Sequence, residues 1–185
     1  MRFVDLTMQG RLHPEDLSAL AIEAKTDPEA FGRLYEHYVQ SIYRYLYSRV
    51  GTVQLAEDLT SQTFMAAFRS LPRYQERGQF SAWLFRIARS KLMDHFRGNK
   101  QEESLEAADG LVVGPDTLAS VMQDETLGHL RLLIGQLKDD ERDLIRLRYV
   151  ADLSFAEIAE LLGKSEEAVK KSVYRLLARL KGQME

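Results

Sequence analysis

The chain has 185 residues, enough for one ordinary domain or two small ones. A hydrophobic share of 45% and a charged share of 29% are those of a globular protein and exclude a disordered or fibrous one. There is no cysteine and the net charge is −3; this excludes a disulfide framework and thiolate metal sites, and any affinity for nucleic acid has to come from local basic patches.

Met1 to Gly10 has no long apolar run, so no signal peptide is expected. No stretch reaches the roughly 18–20 apolar residues of a membrane span. A cytoplasmic location is the expectation, and the lack of cysteine fits it.

The predicted elements are all helices. A short amphipathic helix is expected over Pro14–Lys25. A long one follows over Asp27–Arg49, where Phe31, Leu34, Tyr35, Tyr38, Ile42, Tyr45, Leu46 and Arg49 recur at spacings of three and four. Asp27-Pro28 supplies a capping side chain and a first-turn proline, and Gly51 a stop. The third helix, Val53–Leu71, has apolar positions at Leu55, Leu59, Phe64, Ala67, Phe68 and Leu71, and Pro72 closes it. It presents Glu57, Asp58, Ser61 and Gln62 outward. That face repels DNA and suits a basic groove on a protein, although an ordinary solvated helix face has the same pattern.

A loop over Pro72–Phe80 holds Arg73, Tyr74, Arg77, Gln79 and Phe80, and a helix capped by Ser81 runs to Arg97. Leu84, Ile87, Ala88, Met93 and Phe96 are its core candidates. Its basic residues Arg86, Arg89, Lys91 and Arg97 stand against one acid, Asp94. Cations beside the rings Tyr74, Phe80 and Trp83 suit single-stranded nucleic acid, where charge holds the backbone and rings take unstacked bases. The alternative places Trp83, Phe85 and Phe80 in the core and leaves a solvated basic face.

From Gly98 to Pro115 the periodicity dissolves. Between Gly98 and His129 one lysine faces seven acids, and Gly98, Gly110, Gly114 and Pro115 punctuate the stretch. An acidic flexible linker over 98–115 is expected there. Helices resume over Asp116–Leu137 and Asp139–Val150, and a helix pair closes the chain at Ser154–Leu162 and Ser165–Lys181.

That pair is the sharpest signal. Ser154 and Glu157 form a capping box; Phe155, Ile158, Ala159 and Leu162 make a buried stripe. Gly163 offers the left-handed turn, and Ser165 caps a second helix with a core face of Val169, Val173, Leu176 and Leu180. This is the layout of a helix-turn-helix, whose second helix enters the major groove. Between Gly163 and Lys181 six basic residues face two acids, and Lys170, Lys171, Ser172 and Arg175 lie off the apolar stripe. Arginine and lysine suit both phosphates and guanine edges. A helix hairpin with a solvated basic face remains the plainer alternative.

Taken together, these segments resemble the extracytoplasmic-function sigma factors of bacteria. The string Ala56-Glu-Asp-Leu-Thr-Ser-Gln-Thr-Phe64 is similar to their core-polymerase-binding segment, and Asp27-Pro28-Glu29-Ala30-Phe31 to the opening of their first conserved helix. Phe80-Ser-Ala-Trp-Leu-Phe-Arg-Ile-Ala-Arg89 with Asp94-His95-Phe96-Arg97 resembles their melting and minus-ten segment, and Leu153-Ser-Phe-Ala-Glu-Ile-Ala-Glu-Leu-Leu-Gly163 their helix-turn-helix. One departure is Ala168-Val169-Lys170-Lys171-Ser172, where the family often has Thr-Val-Lys-Ser-Arg.

The resemblance implies an all-α chain of two small helical domains, 14–97 and 116–181, that partners core RNA polymerase and promoter DNA, both duplex and single-stranded. It implies that Glu57, Asp58, Ser61 and Gln62 dock on the polymerase clamp, with Asp58 and Gln62 central. Tyr74, Arg77, Phe80, Trp83, Arg86, Arg89, Lys91 and Arg97 would serve the minus-ten element, the loop capturing a flipped base. Ser165, Lys170, Lys171, Ser172, Arg175 and Arg179 would serve the minus-thirty-five element. The linker would thread toward the RNA exit path, and an anti-sigma protein is a possible further partner. No cofactor is implied.

Two rivals follow from the residues. A stand-alone helix-turn-helix regulator would bind duplex DNA without polymerase, usually as a dimer, and leaves the basic aromatic helix unexplained. An enzyme finds little support: His13, His37, His95 and His129 are scattered, and no His-Glu-x-x-His, phosphate loop or nucleophile elbow occurs.

Overall fold

The structure, a computed structural model, describes residues 14–75, 79–99 and 125–184. Among these residues every regular element is helical. The order is α1 (Pro14–Glu23), α2 (Pro28–Val50), α3 (Val53–Ser70), a 3-10 turn (Leu71–Arg73), α4 (Phe80–Asn99), α5 (Glu125–Gly135), α6 (Asp139–Ile145) running into a π-helical turn (Arg146–Val150), α7 (Phe155–Leu162) and α8 (Glu166–Met184). No described helix is long and apolar enough to cross a membrane.

Local chemistry sets most boundaries. The carboxylate of Asp27 accepts from the Glu29 N–H at 2.9 Å, with Pro28 in the first turn. Gly51, at φ 74°, ends α2 and donates its N–H to the Tyr47 carbonyl. At α7 the capping box is complete: Ser154 Oγ accepts from the Glu157 N–H at 3.2 Å, and the Glu157 carboxylate from the Ser154 N–H at 2.7 Å. Asp152, at φ 58°, is the described non-glycine residue with a left-handed backbone, a conformation that aspartate adopts more readily than most.

Three expectations need correction. Ser81 does not cap α4, because the helix begins one residue earlier at Phe80 and Ser81 is buried within it. Met93 is 46% exposed, and Phe85 and Leu92 fill the core positions instead. Phe68 is 49% exposed, held on the surface by an edge-on contact with Phe31 at 5.0 Å. Helix α4 reaches Asn99; residues 100–124, with the rest of the linker expected over 98–115 and the start of the helix expected at Asp116, lie outside the described residues.

The first half is a bundle in which α2 packs on α1, α3 and α4 through Leu34, Tyr38, Ile42, Tyr45 and Leu46. In the second, α5 and α7 pack on α8 through Val169, Val173, Leu176 and Leu180. The halves touch: α4 meets α7, and α2 meets the π-helical turn. There the ladder shifts to i→i+5, with the Ala151 N–H donating to the Arg146 carbonyl at 2.9 Å. Such turns are rare and concentrate at functional sites.

Gly163, at φ 63°, sits between α7 and α8 with open space where a Cβ would go. Substitution there meets backbone strain and no clash. Gly163→Ala is expected to lower stability by about 1–2 kcal/mol, and Gly163→Asn by less, since asparagine tolerates this region. Urea unfolding of both variants measures the difference.

Candidate nucleic-acid interface

Three surfaces carry the residues singled out in the sequence. On α8 the four apolar residues turn inward, and Lys170, Lys171, Arg175 and Arg179 are exposed. The remaining two candidates are occupied locally. Ser165 Oγ accepts from the Ala168 N–H at 3.2 Å as a helix cap, and the half-buried Ser172 hydroxyl donates to the Ala168 carbonyl at 2.8 Å. Arg179 reaches across to Glu141 of α6 at 2.8 Å. That hydrogen bond holds the Glu141 carboxyl below its usual range. Arg179 therefore braces α8 against α6 at one edge of the basic face.

Sequence reasoning passed over Tyr174. It is 54% exposed, one residue before Arg175, and its ring rests 6.0 Å from Phe155, which also carries the Arg148 guanidinium at 5.0 Å. Its place outside the core stripe and among three cations was the available signal.

On α4, Trp83, Ser90 and Arg97 follow one another at helical spacings on the outer side. Trp83 is half-buried at the edge of an aromatic cluster, 4.8 Å from Tyr74 and 5.2 Å from Phe80. Tyr74 and Phe80 themselves are buried, at 6% and 3% exposure, so of these three rings Trp83 has the most open surface. Lys25 lies 5.9 Å over the Tyr74 ring. Lys91 is half-buried on the opposite flank, Arg97 lies 3.9 Å from Asp94, and Arg77 is outside the described residues.

On α3, Glu57, Asp58, Ser61 and Gln62 are all exposed. Gln62 Nε2 donates to Asp58 Oδ2 at 2.7 Å. The same face continues into Met65, 54% exposed. An acidic stripe ending in a methionine has charge and apolar surface that would complement a basic, partly apolar one.

The two remaining cations of α4 face inward between the halves. Arg86 donates to the Glu160 backbone carbonyl at 2.8 Å and to its carboxylate at 3.2 Å. Arg89 pairs with Asp143 Oδ2 at 3.2 Å. Asp143 is buried, and its other oxygen accepts from the Tyr45 hydroxyl at 3.0 Å, with Arg49 at 3.7 Å. Burial and then the Asp143 charge push the Tyr45 hydroxyl well above its ordinary range. Arg146, 5% exposed, is pushed down to about 10 by desolvation and by the Arg49 charge, and its Nε has no hydrogen-bond partner among the described residues. The half-exposed Arg86–Glu160 pair is worth about 0–1 kcal/mol; the contacts of Asp143 are less screened and dominate.

The sequence profile of Sigma-70 region 2 matches residues 34–102, and that of Sigma-70 region 4 matches residues 127–180. The ECF RNA polymerase sigma factor BldN of Streptomyces coelicolor is 37% identical over 83% of the chain, which spans 60% of that relative's length. The ECF RNA polymerase sigma factor SigW of Bacillus subtilis is 30% identical over 82% of the chain and 87% of its own. The sigma factor RpoE of Bartonella quintana, solved in complex with the anti-sigma factor NepR, shares the fold with a TM-score of 0.62 at 20% identity, over 84% of the chain and 97% of that structure.

Tyr45→Phe removes the buried donor to Asp143 and nothing else of size. It is expected to cost about 1–2 kcal/mol, read as a lower urea midpoint at unchanged slope.

Proposed function

The chain belongs to the extracytoplasmic-function family of RNA polymerase sigma factors, and on that premise we propose how its three surfaces divide the work of directing transcription to promoters. It partners core RNA polymerase and promoter DNA. The acidic face of α3, with Asp58 and Gln62 at its centre, docks on the polymerase. The exposed face of α8 holds the upstream promoter box through Lys170, Lys171 and Arg175, with Tyr174 beside them and Arg179 bracing the helix. Helix α4, through Trp83 and Arg97 on its outer side and Arg86 and Arg89 at the junction, takes the downstream element once its strands separate.

The observation that carries this reading is the separation of charge. Cations gather on α8 and α4 while the face of α3 is acidic, inside a chain whose total is −3. Nothing in this division needs a bond to be made or broken. Binding the opened promoter more tightly than the closed one shifts the melting equilibrium by that difference in affinity. Within this scheme Ser165 acts as a cap, and the Ser172 hydroxyl is taken up by the Ala168 carbonyl. Tyr74 and Phe80 are buried, so Trp83 is the first of these three rings that an unpaired base meets. The work is that of a cytoplasmic protein, since its partners lie there.

A stand-alone duplex-binding regulator accounts for α7 and α8 alone; it leaves the match to region 2 and the face of α3 without a use.

Run-off transcription with reconstituted core enzyme tests the reading. The wild type is expected to yield promoter-specific transcripts, and Asp58→Lys to lose them through lost core binding. Lys170→Ala, Lys171→Ala and Arg175→Ala combined are expected to lower the slope of log affinity for duplex promoter against log salt by roughly three phosphates' worth. Failure of the wild type to bind core at micromolar concentration contradicts the assignment.

A further inference from the structure

We infer that the second half of the chain acts as an intramolecular substitute for nucleic-acid phosphate, its carboxylates Asp143 and Glu160 occupying Arg89 and Arg86, so that the free protein masks its own single-strand-binding face. The inference rests on the reading of α4 as a DNA-contacting surface. It adds a competition that neither that reading nor the family match contains.

Two basic residues of α4, Arg86 and Arg89, have carboxylate partners on the second half, at 3.2 Å in each case. The contact is built, because Asp143 also accepts from Tyr45 at 3.0 Å and lies 3.7 Å from Arg49, both on α2. A guanidinium that donates to a carboxylate uses the same N–H fork that it would offer to a phosphate oxygen. The two partners therefore exclude each other.

The apparent affinity of a site that is open only part of the time falls by the open fraction. Weakening the closed contact therefore tightens DNA binding without touching the DNA-binding residues. Asp143→Asn removes the charge and keeps an oxygen to accept from Tyr45, so the contact between the halves weakens while each half keeps its own core. Glu160→Gln acts on an exposed pair and leaves the core untouched.

The test is fluorescence anisotropy of a labelled random-sequence single-stranded DNA 12-mer pool, in the absence of polymerase. The phosphate contribution is independent of sequence, so no promoter needs to be known. Asp143→Asn is expected to bind about tenfold more tightly than the wild type, and Glu160→Gln about two- to threefold, because its pair is more screened. Glu36→Gln, an exposed acid outside the contact, gives the effect of net charge alone. Adding Arg86→Ala and Arg89→Ala to Asp143→Asn is expected to remove the gain.

Binding by both variants no tighter than by Glu36→Gln overturns the inference. If Asp143→Asn does not fold, Glu160→Gln alone decides. Run-off transcription separates the two levels. Transcripts without a gain in DNA binding sink the masking and leave the promoter-directing reading standing. A gain without transcripts leaves a masked DNA-binding face and removes that reading.

Discussion

A buried carboxylate stands at the junction of the two halves of this molecule. Asp143 takes a hydroxyl from α2 and lies against guanidinium groups of α2 and α4. Burying an ion costs several kcal/mol unless partners and hydrogen bonds return it. Here three donors converge on one acid, and a further buried arginine, Arg146, stands beside it with its charged form weakened. The arrangement holds the halves together while the cations outnumber the acid, so it is a contact that can be given up to a competitor of greater negative charge.

The same junction explains how one surface can be prepared and yet withheld. Trp83 and Arg97 lie on the outer side of α4, while Arg86 and Arg89 are turned to the second half. The face of α8 stays open throughout, with Lys170, Lys171 and Arg175 exposed. On the proposed division of labour, such a chain would present α8 and the acidic face of α3 before the cations of α4. That order suits a subunit whose melting function is needed only after docking.

Much of this was legible in the sequence, for physical reasons that differ from element to element. Helix periodicity placed α2 and α3, because Leu34, Tyr38, Ile42, Leu59 and Phe64 fall at spacings that only a 3.6-residue repeat brings to one side. Capping chemistry placed the ends of α2, α7 and α8, since Asp27, Ser154, Gly163 and Ser165 act on their own neighbours. The burial of Tyr74 and Phe80 was less legible: a ring in a basic loop reads equally as a base platform or as core, and only packing against Tyr38 and Trp83 decides. The junction was not legible at all. Tyr45 and Asp143 are 98 positions apart, and each alone looks like an ordinary helix residue.

The most direct test of the account is a distance. The chain has no cysteine, so nitroxide labels on Gln40→Cys of α2 and Gln183→Cys of α8, both exposed, report the two halves without background. Double electron–electron resonance on the free protein should give one narrow distance distribution that broadens and lengthens in the Asp143→Asn background. A distribution already broad in the parent, or unchanged by that substitution, would contradict a junction held by this carboxylate.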